Sequence, residues 1–105
     1  MRTHKDKFLT LLERSLKTEL GNVWELMPSA DADDHAGMVT VQHVDQLNRS
    51  LCQFTYYFGP HSWFPIVLHT SGLANEQPTP YRWHDLTQAF GDILRRCKEQ
   101  VKLKL

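Results

Sequence analysis

Leu51-Cys52-Gln53-Phe54-Thr55-Tyr56-Tyr57-Phe58 is the stretch on which the fold turns. Cys52, Phe54, Tyr56 and Phe58 fall on one side of it, and Gln53, Thr55 and Tyr57 on the other. Alternation with a period of two is strand geometry, because successive side chains point to opposite faces of a sheet. Aromatic and β-branched residues suit that half-buried surface. A strand with one large apolar face needs an apolar layer against it, and that requirement organises the reading of everything on either side.

Upstream, Met38–Val44 alternates in the same way, and Asp45–Arg49 reads as a five-residue hairpin loop into the central strand. Before it, Val23–Met27 is a short strand stopped by Pro28. Residues 29–37 are small, acidic and turn-rich, which predicts a solvent loop and the most mobile part of the chain. Downstream, Gly59–Ser62 is a turn and Trp63–His69 a fourth strand, with Pro65 marking an edge position or a bulge. Thr70–Pro80 reads as a loop.

The two ends of the chain supply the covering layer. In residues 3–20, Phe8, Leu12, Leu16 and Leu20 recur every four positions, and Leu9 and Leu11 widen the stripe. Thr3 is placed to cap this helix, Asp6 to complement its dipole and Gly21-Asn22 to end it. A last helix is predicted from near Pro80, capped by Thr79, with Trp83, Leu86, Phe90, Ile93, Cys97 and Val101 as its apolar stripe. Phe90, at the middle of that stripe, is expected to contact strand side chains. The predicted fold is therefore α+β: an N-terminal helix, a four-stranded antiparallel meander and a C-terminal helix, with both helices on one sheet face. Its 105 residues, 41% of them hydrophobic and 23% charged, suit one globular domain spanning 1–105.

Charge argues against two classes of partner. Twelve basic and twelve acidic side chains give a formal net charge of +0, whereas affinity for nucleic acid or an anionic membrane comes largely from excess positive charge. The cluster Arg95, Arg96, Lys98, Lys102 and Lys104 is mixed with Asp92 and Glu99 and reads as a solvated face that complements the helix dipole. No run is long and apolar enough for a membrane span or a signal peptide, so the expected location is cytoplasmic, with Cys52 and Cys97 reduced as core thiols.

No motif names a reaction. The histidines at 4, 35, 43, 61, 69 and 84 show neither the i, i+4 nor the i, i+2 spacing that puts two metal ligands on one face. Asp31, Asp33, Asp34 and His35 depart from the calcium-loop pattern, with Ala36 at the glycine position and Gln42 at the final acidic one. There is no nucleophile elbow and no glycine-rich phosphate loop. No cofactor, metal or catalytic residue is assigned.

One feature points to binding. The second sheet face would carry Thr40, Gln42, Val44, Gln53, Thr55, Tyr57, Trp63, Val67 and His69, with Glu25 its one charge. A face meant for water carries more charge than this, and a mixed face with Tyr and Trp is typical of an interface. The expected function is a non-enzymatic binding protein acting through this face, as a homodimer or as an adaptor for another protein. The binding residues are Gln42, Thr55, Tyr57, His61, Trp63, Val67 and His69. The alternative is a small-molecule site, possibly enzymatic, in a cleft lined by Tyr57, His61, Trp63 and His69, where histidine would serve as acid or base.

Overall fold

The computed structural model describes residues 3–69 and 77–103. Helix α1 spans His4–Leu20. Five strands follow: β1 Trp24–Pro28, β2 Ala36–His43, β3 Gln46–Tyr57, β4 Ile66–His69 and β5 Thr79–Tyr81. A single 3-10 turn at Trp83–Asp85 leads into helix α2, Leu86–Leu103. The strands lie in the order β1-β2-β3-β4-β5, each antiparallel to its neighbours, so the sheet is a plain meander. The α+β class and the order helix, sheet, helix are as predicted, but the described residues form five strands rather than four.

The extra strand comes from Thr79-Pro80-Tyr81, predicted as the cap and first turn of the last helix. These residues are extended, with Thr79, Pro80 and Tyr81 opposite Leu68, Val67 and Ile66. Proline at the start of a helix and proline on a sheet edge are both tolerated because neither position needs its N–H. Tyr81 favours the strand: its ring is buried in the core and its hydroxyl donates to Asp92 Oδ2 on α2 at 2.7 Å. Of the predicted loop Thr70–Pro80, residues 70–76 lie outside the described residues, as does Lys104.

Two other boundaries move. The segment expected to form a five-residue hairpin loop is largely strand, and Val44-Asp45 makes the turn. Val41 pairs with Cys52 but Gln42 pairs with Ser50, so Leu51 is the extra residue of a β-bulge. The bulge places both Leu51 and Cys52 in the buried core, which strict alternation would have forbidden. The fourth strand begins at Ile66, not Trp63. Tyr57 N–H donates to the Pro65 carbonyl at 2.7 Å, while Trp63 and Phe64 stand outside the ladder.

Both helices cover the same sheet face. Leu12 and Leu16 of α1 and Ala89, Ile93 and Cys97 of α2 are fully buried in one cluster with Val39, Val41, Phe54 and Tyr56. Phe8 meets Phe54 and Phe90 edge-on, with centroids 6.1 and 6.0 Å apart. Phe90 is only partly buried and sits at the rim between the helices, so Ile93 takes the central position expected of it. Lys98 and Glu19 bridge the two helices at 3.2 Å. The caps behave as read: Thr3 Oγ1 accepts from Asp6 N–H at 3.1 Å, and Gly21, with φ +94°, ends α1 where a side chain would be strained. No described helix is long and apolar enough to cross a membrane.

Candidate functional site

The register decides the second sheet face. Met27↔Thr40↔Gln53↔His69 runs across four strands, and Met38↔Thr55↔Val67↔Pro80 runs beside it. Glu25 pairs with Gln42 at the far side. Glu25 is the only charged residue among these positions. Exposure of 40% at Met27, 40% at Met38 and 46% at Tyr57 leaves an apolar surface accessible. The polar side chains between them are partly paired with one another. Thr55 Oγ1 and His69 Nε2 are 2.6 Å apart, and Gln53 Nε2 donates to Thr40 Oγ1 at 3.3 Å.

One corner of the face deepens into a cleft of about 660 Å³, lined by Met38, Thr55, Tyr57 and His69 from the sheet and by Ser29, Asp31 and Asp33 from the β1–β2 connection. That connection, expected to be the most mobile solvent loop, is held by a dense set of bonds. Ser29 N–H donates to the Met38 carbonyl at 2.8 Å, and Asp33 N–H to the Ala36 carbonyl at 2.9 Å. Asp33 Oδ1 accepts from His35 N–H at 2.7 Å and Ala36 N–H at 2.9 Å, an aspartate turn. These two amides, Ala36 first, hold the Asp33 carboxyl below the ordinary range. The Tyr56 hydroxyl donates to the Asp33 carbonyl, and burial raises the Tyr56 phenol above its usual pKa. Lys5 on α1 pairs with Asp34 at 3.5 Å, so the Asp31 and Asp33 carboxylates form the cleft's acidic rim and no lining residue is Lys or Arg.

Of the expected binding residues, Thr55, Tyr57 and His69 meet in this cleft. Val67 lies on the same face, cross-strand from Thr55. Gln42 is also on that face, on the same strand as Met38 but four residues further along, where it is buried opposite Glu25 and does not line the cleft. His61 and Trp63 are exposed in the β3–β4 connection and do not line the cleft. Trp63, expected on the second face as a strand residue, is 77% exposed beyond the ladder. The wall residues Ser29, Asp31 and Asp33 were not foreseen. The pattern Asp33-Asp34-His35-Ala36, an aspartate two and three residues before amides it can accept from, was the one local signal for that turn.

No family model, curated protein or solved structure matches this chain. Among the described residues, no three His, Cys, Asp or Glu side chains converge in a way that could hold a metal. The Thr55–His69 pair could exchange a proton with a bound group, and among the described residues no activated nucleophile stands beside it.

Proposed function

We propose that this protein acts by association through the second face of its sheet, with a second copy of the chain as the simplest partner. One observation carries the reading: Met27, Met38 and Tyr57 stand exposed on a face whose strand positions carry one charge, Glu25. Soluble proteins rarely leave such a surface to water, and interface centres favour Met and Tyr and exclude charge. The polar groups of the face add support. Thr55 with His69 and Gln53 with Thr40 are already partly paired, which lowers the desolvation that covering them would cost. A two-fold dimer would bring the same patch together from both copies. Sedimentation velocity across micromolar concentrations is the test. A dimer that Met38→Lys dissolves, with the helical signal retained, is the expected result. A protein that stays monomeric throughout would exclude the second copy as partner.

The cleft supports a second reading, a small-molecule site, because its volume lies in the range of ligand pockets and it brings Thr55 and His69 to 2.6 Å of each other beside the Tyr57 ring. Its acidic rim favours a cationic ligand such as a small amine. Thermal-shift titration with amines, repeated on Tyr57→Ala, tests this. No shift in the unmodified protein would set the reading aside.

A further inference from the structure

We infer that Cys52 and Cys97 are a latent disulfide, a redox modification site that can lock α2 onto the sheet. They are the chain's two cysteines, 45 positions apart in sequence, and the fold brings their Sγ atoms to 3.5 Å in the core. Cys52 stands on the central strand β3, next to the bulge at Leu51, and Cys97 on the buried stripe of α2. Bond formation requires the sulfurs to close to about 2.05 Å, an approach that the two thiol-bearing side chains can share. A core position needs an apolar filler, and Val or Ala serves as well as Cys. Two thiols facing each other where α2 packs on β3 do more than fill space.

Burial sets how the pair reacts. Both residues are fully buried, and the contact with Cys52, followed by burial, raises the Cys97 thiol far above its ordinary range. A dissolved oxidant cannot reach either buried sulfur, and the Cys97 thiol stays protonated, so the pair does not react while α2 is seated. Oxidation therefore waits for α2 to lift from the sheet. In that open state one cysteine thiolate attacks a low-molecular-weight disulfide such as glutathione disulfide. This forms a mixed disulfide and expels one glutathione thiolate. The second cysteine thiolate then attacks the protein-bound sulfur, forming the Cys52–Cys97 bond and expelling the second glutathione. The two protons lost by the cysteines are taken up by the two glutathione thiolates. The protein is oxidised by two electrons and the glutathione disulfide is reduced. Closing so long a loop restricts the unfolded chain, so the product is a staple between the last helix and the sheet's central strand.

The test uses the whole chain and glutathione disulfide, with free thiols counted in denaturant and intact mass read afterwards. The expected product is a single chain with no covalent link to a second copy, lighter by two hydrogens, without free thiols or bound glutathione. Its melting temperature should be above the reduced form's by about 10 °C or more. The rate should rise with low urea, which populates the open state, and should level off at high oxidant concentration. Cys52→Ala/Cys97→Ala should melt at one temperature in oxidant and in reductant, which excludes an effect of oxidant elsewhere. Retention of both thiols in urea that opens the helix, capture of glutathione on both cysteines, intermolecular cross-links, or an oxidised form that melts below the reduced one would each overturn the inference.

Discussion

Gly37 is where backbone and side chain compete most closely for space. A Cβ added there would lie 2.5 Å from Ala32 Cβ and 2.7 Å from the Tyr56 hydroxyl oxygen, the group that ties the β1–β2 connection to the core. Gly37→Ala must push the loop off Tyr56 or move the ring, and the expected cost is about 1–3 kcal/mol, the usual penalty for overpacking. Gly91 is the control. It lies in α2 with nothing within 4 Å of an added Cβ, so Gly91→Ala should stabilise the protein by about 0.5–1 kcal/mol through helix propensity and a stiffer unfolded chain. Urea denaturation of both variants measures the contrast. Equal effects would mean that the loop does not press on Gly37. Because the same loop walls the cleft, Gly37→Ala should also disturb any ligand bound beside Met38 and Thr55.

Helix α2 shows how a stripe read from sequence is divided once it packs. Leu86, Phe90, Ile93, Cys97 and Val101 do face inward, yet burial is complete only at Ala89, Ile93 and Cys97. Phe90 lies one step round the helix, edge-on to Phe8 in an apolar groove with Leu11 and Leu86. Ile93→Ala should therefore cost about 2–5 kcal/mol, as full cavities do. Phe90→Ala should cost less than a fully buried ring would, about 1–2 kcal/mol, because part of its surface already meets water. Lys102→Ala, on the exposed side, should stay within about 0.5 kcal/mol. Denaturation midpoints that ranked Phe90 above Ile93 would show that α2 is rotated from the orientation described. Tyr81 reaches from β5 to Asp92, so β5 and α2 are held together by one buried hydroxyl as well as by apolar contact.

The whole molecule is balanced in charge, so its pH dependence rests on buried groups. Tyr81 is raised far above the usual phenol pKa, by burial first and then by its bond to Asp92, and Tyr56 is raised by burial. Both phenols keep their protons longer in the folded state than in the unfolded chain. Their contribution is thus fully present below the unfolded phenol pKa of about 10 and is lost as pH rises past it. Stability should begin to fall above about pH 8.5, where the Cys97 thiol, also raised in the fold by its contact with Cys52 and by burial, ionises in the unfolded chain, and should fall more steeply above about 10. Tyr81→Phe should be less stable at neutral pH, by roughly 1 kcal/mol for the lost bond, and should decline less between pH 10 and 12. Urea midpoints taken across that range give the two slopes, and parallel slopes would exclude Tyr81 as their source. With a sequence pI near 7.0, the molecule should also associate most readily near neutral pH, where self-repulsion is least.

Much of this architecture is legible in the residues themselves. The alternation of Cys52, Phe54 and Tyr56 against Gln53, Thr55 and Tyr57 identifies the central strand and its two faces, because a period of two has one geometric meaning. Leu12 and Leu16, four apart, identify the face that α1 buries for the same kind of reason. Local pattern is silent wherever distant residues supply the energy. Thr79-Pro80-Tyr81 suits a helix start or an edge strand equally well, and the choice falls to Asp92 and Ile66, which meet Tyr81 only after folding. The bulge at Leu51 depends on register with β2, so alternation places that side chain on the wrong face. Asp31 and Asp33 become cleft walls because Tyr56 and Met38 bind their loop from across the sheet. Cys52 and Cys97 read singly as core filler, and their pairing exists only where α2 crosses β3, a juxtaposition set by the packing of two apolar faces rather than by any spacing along the chain.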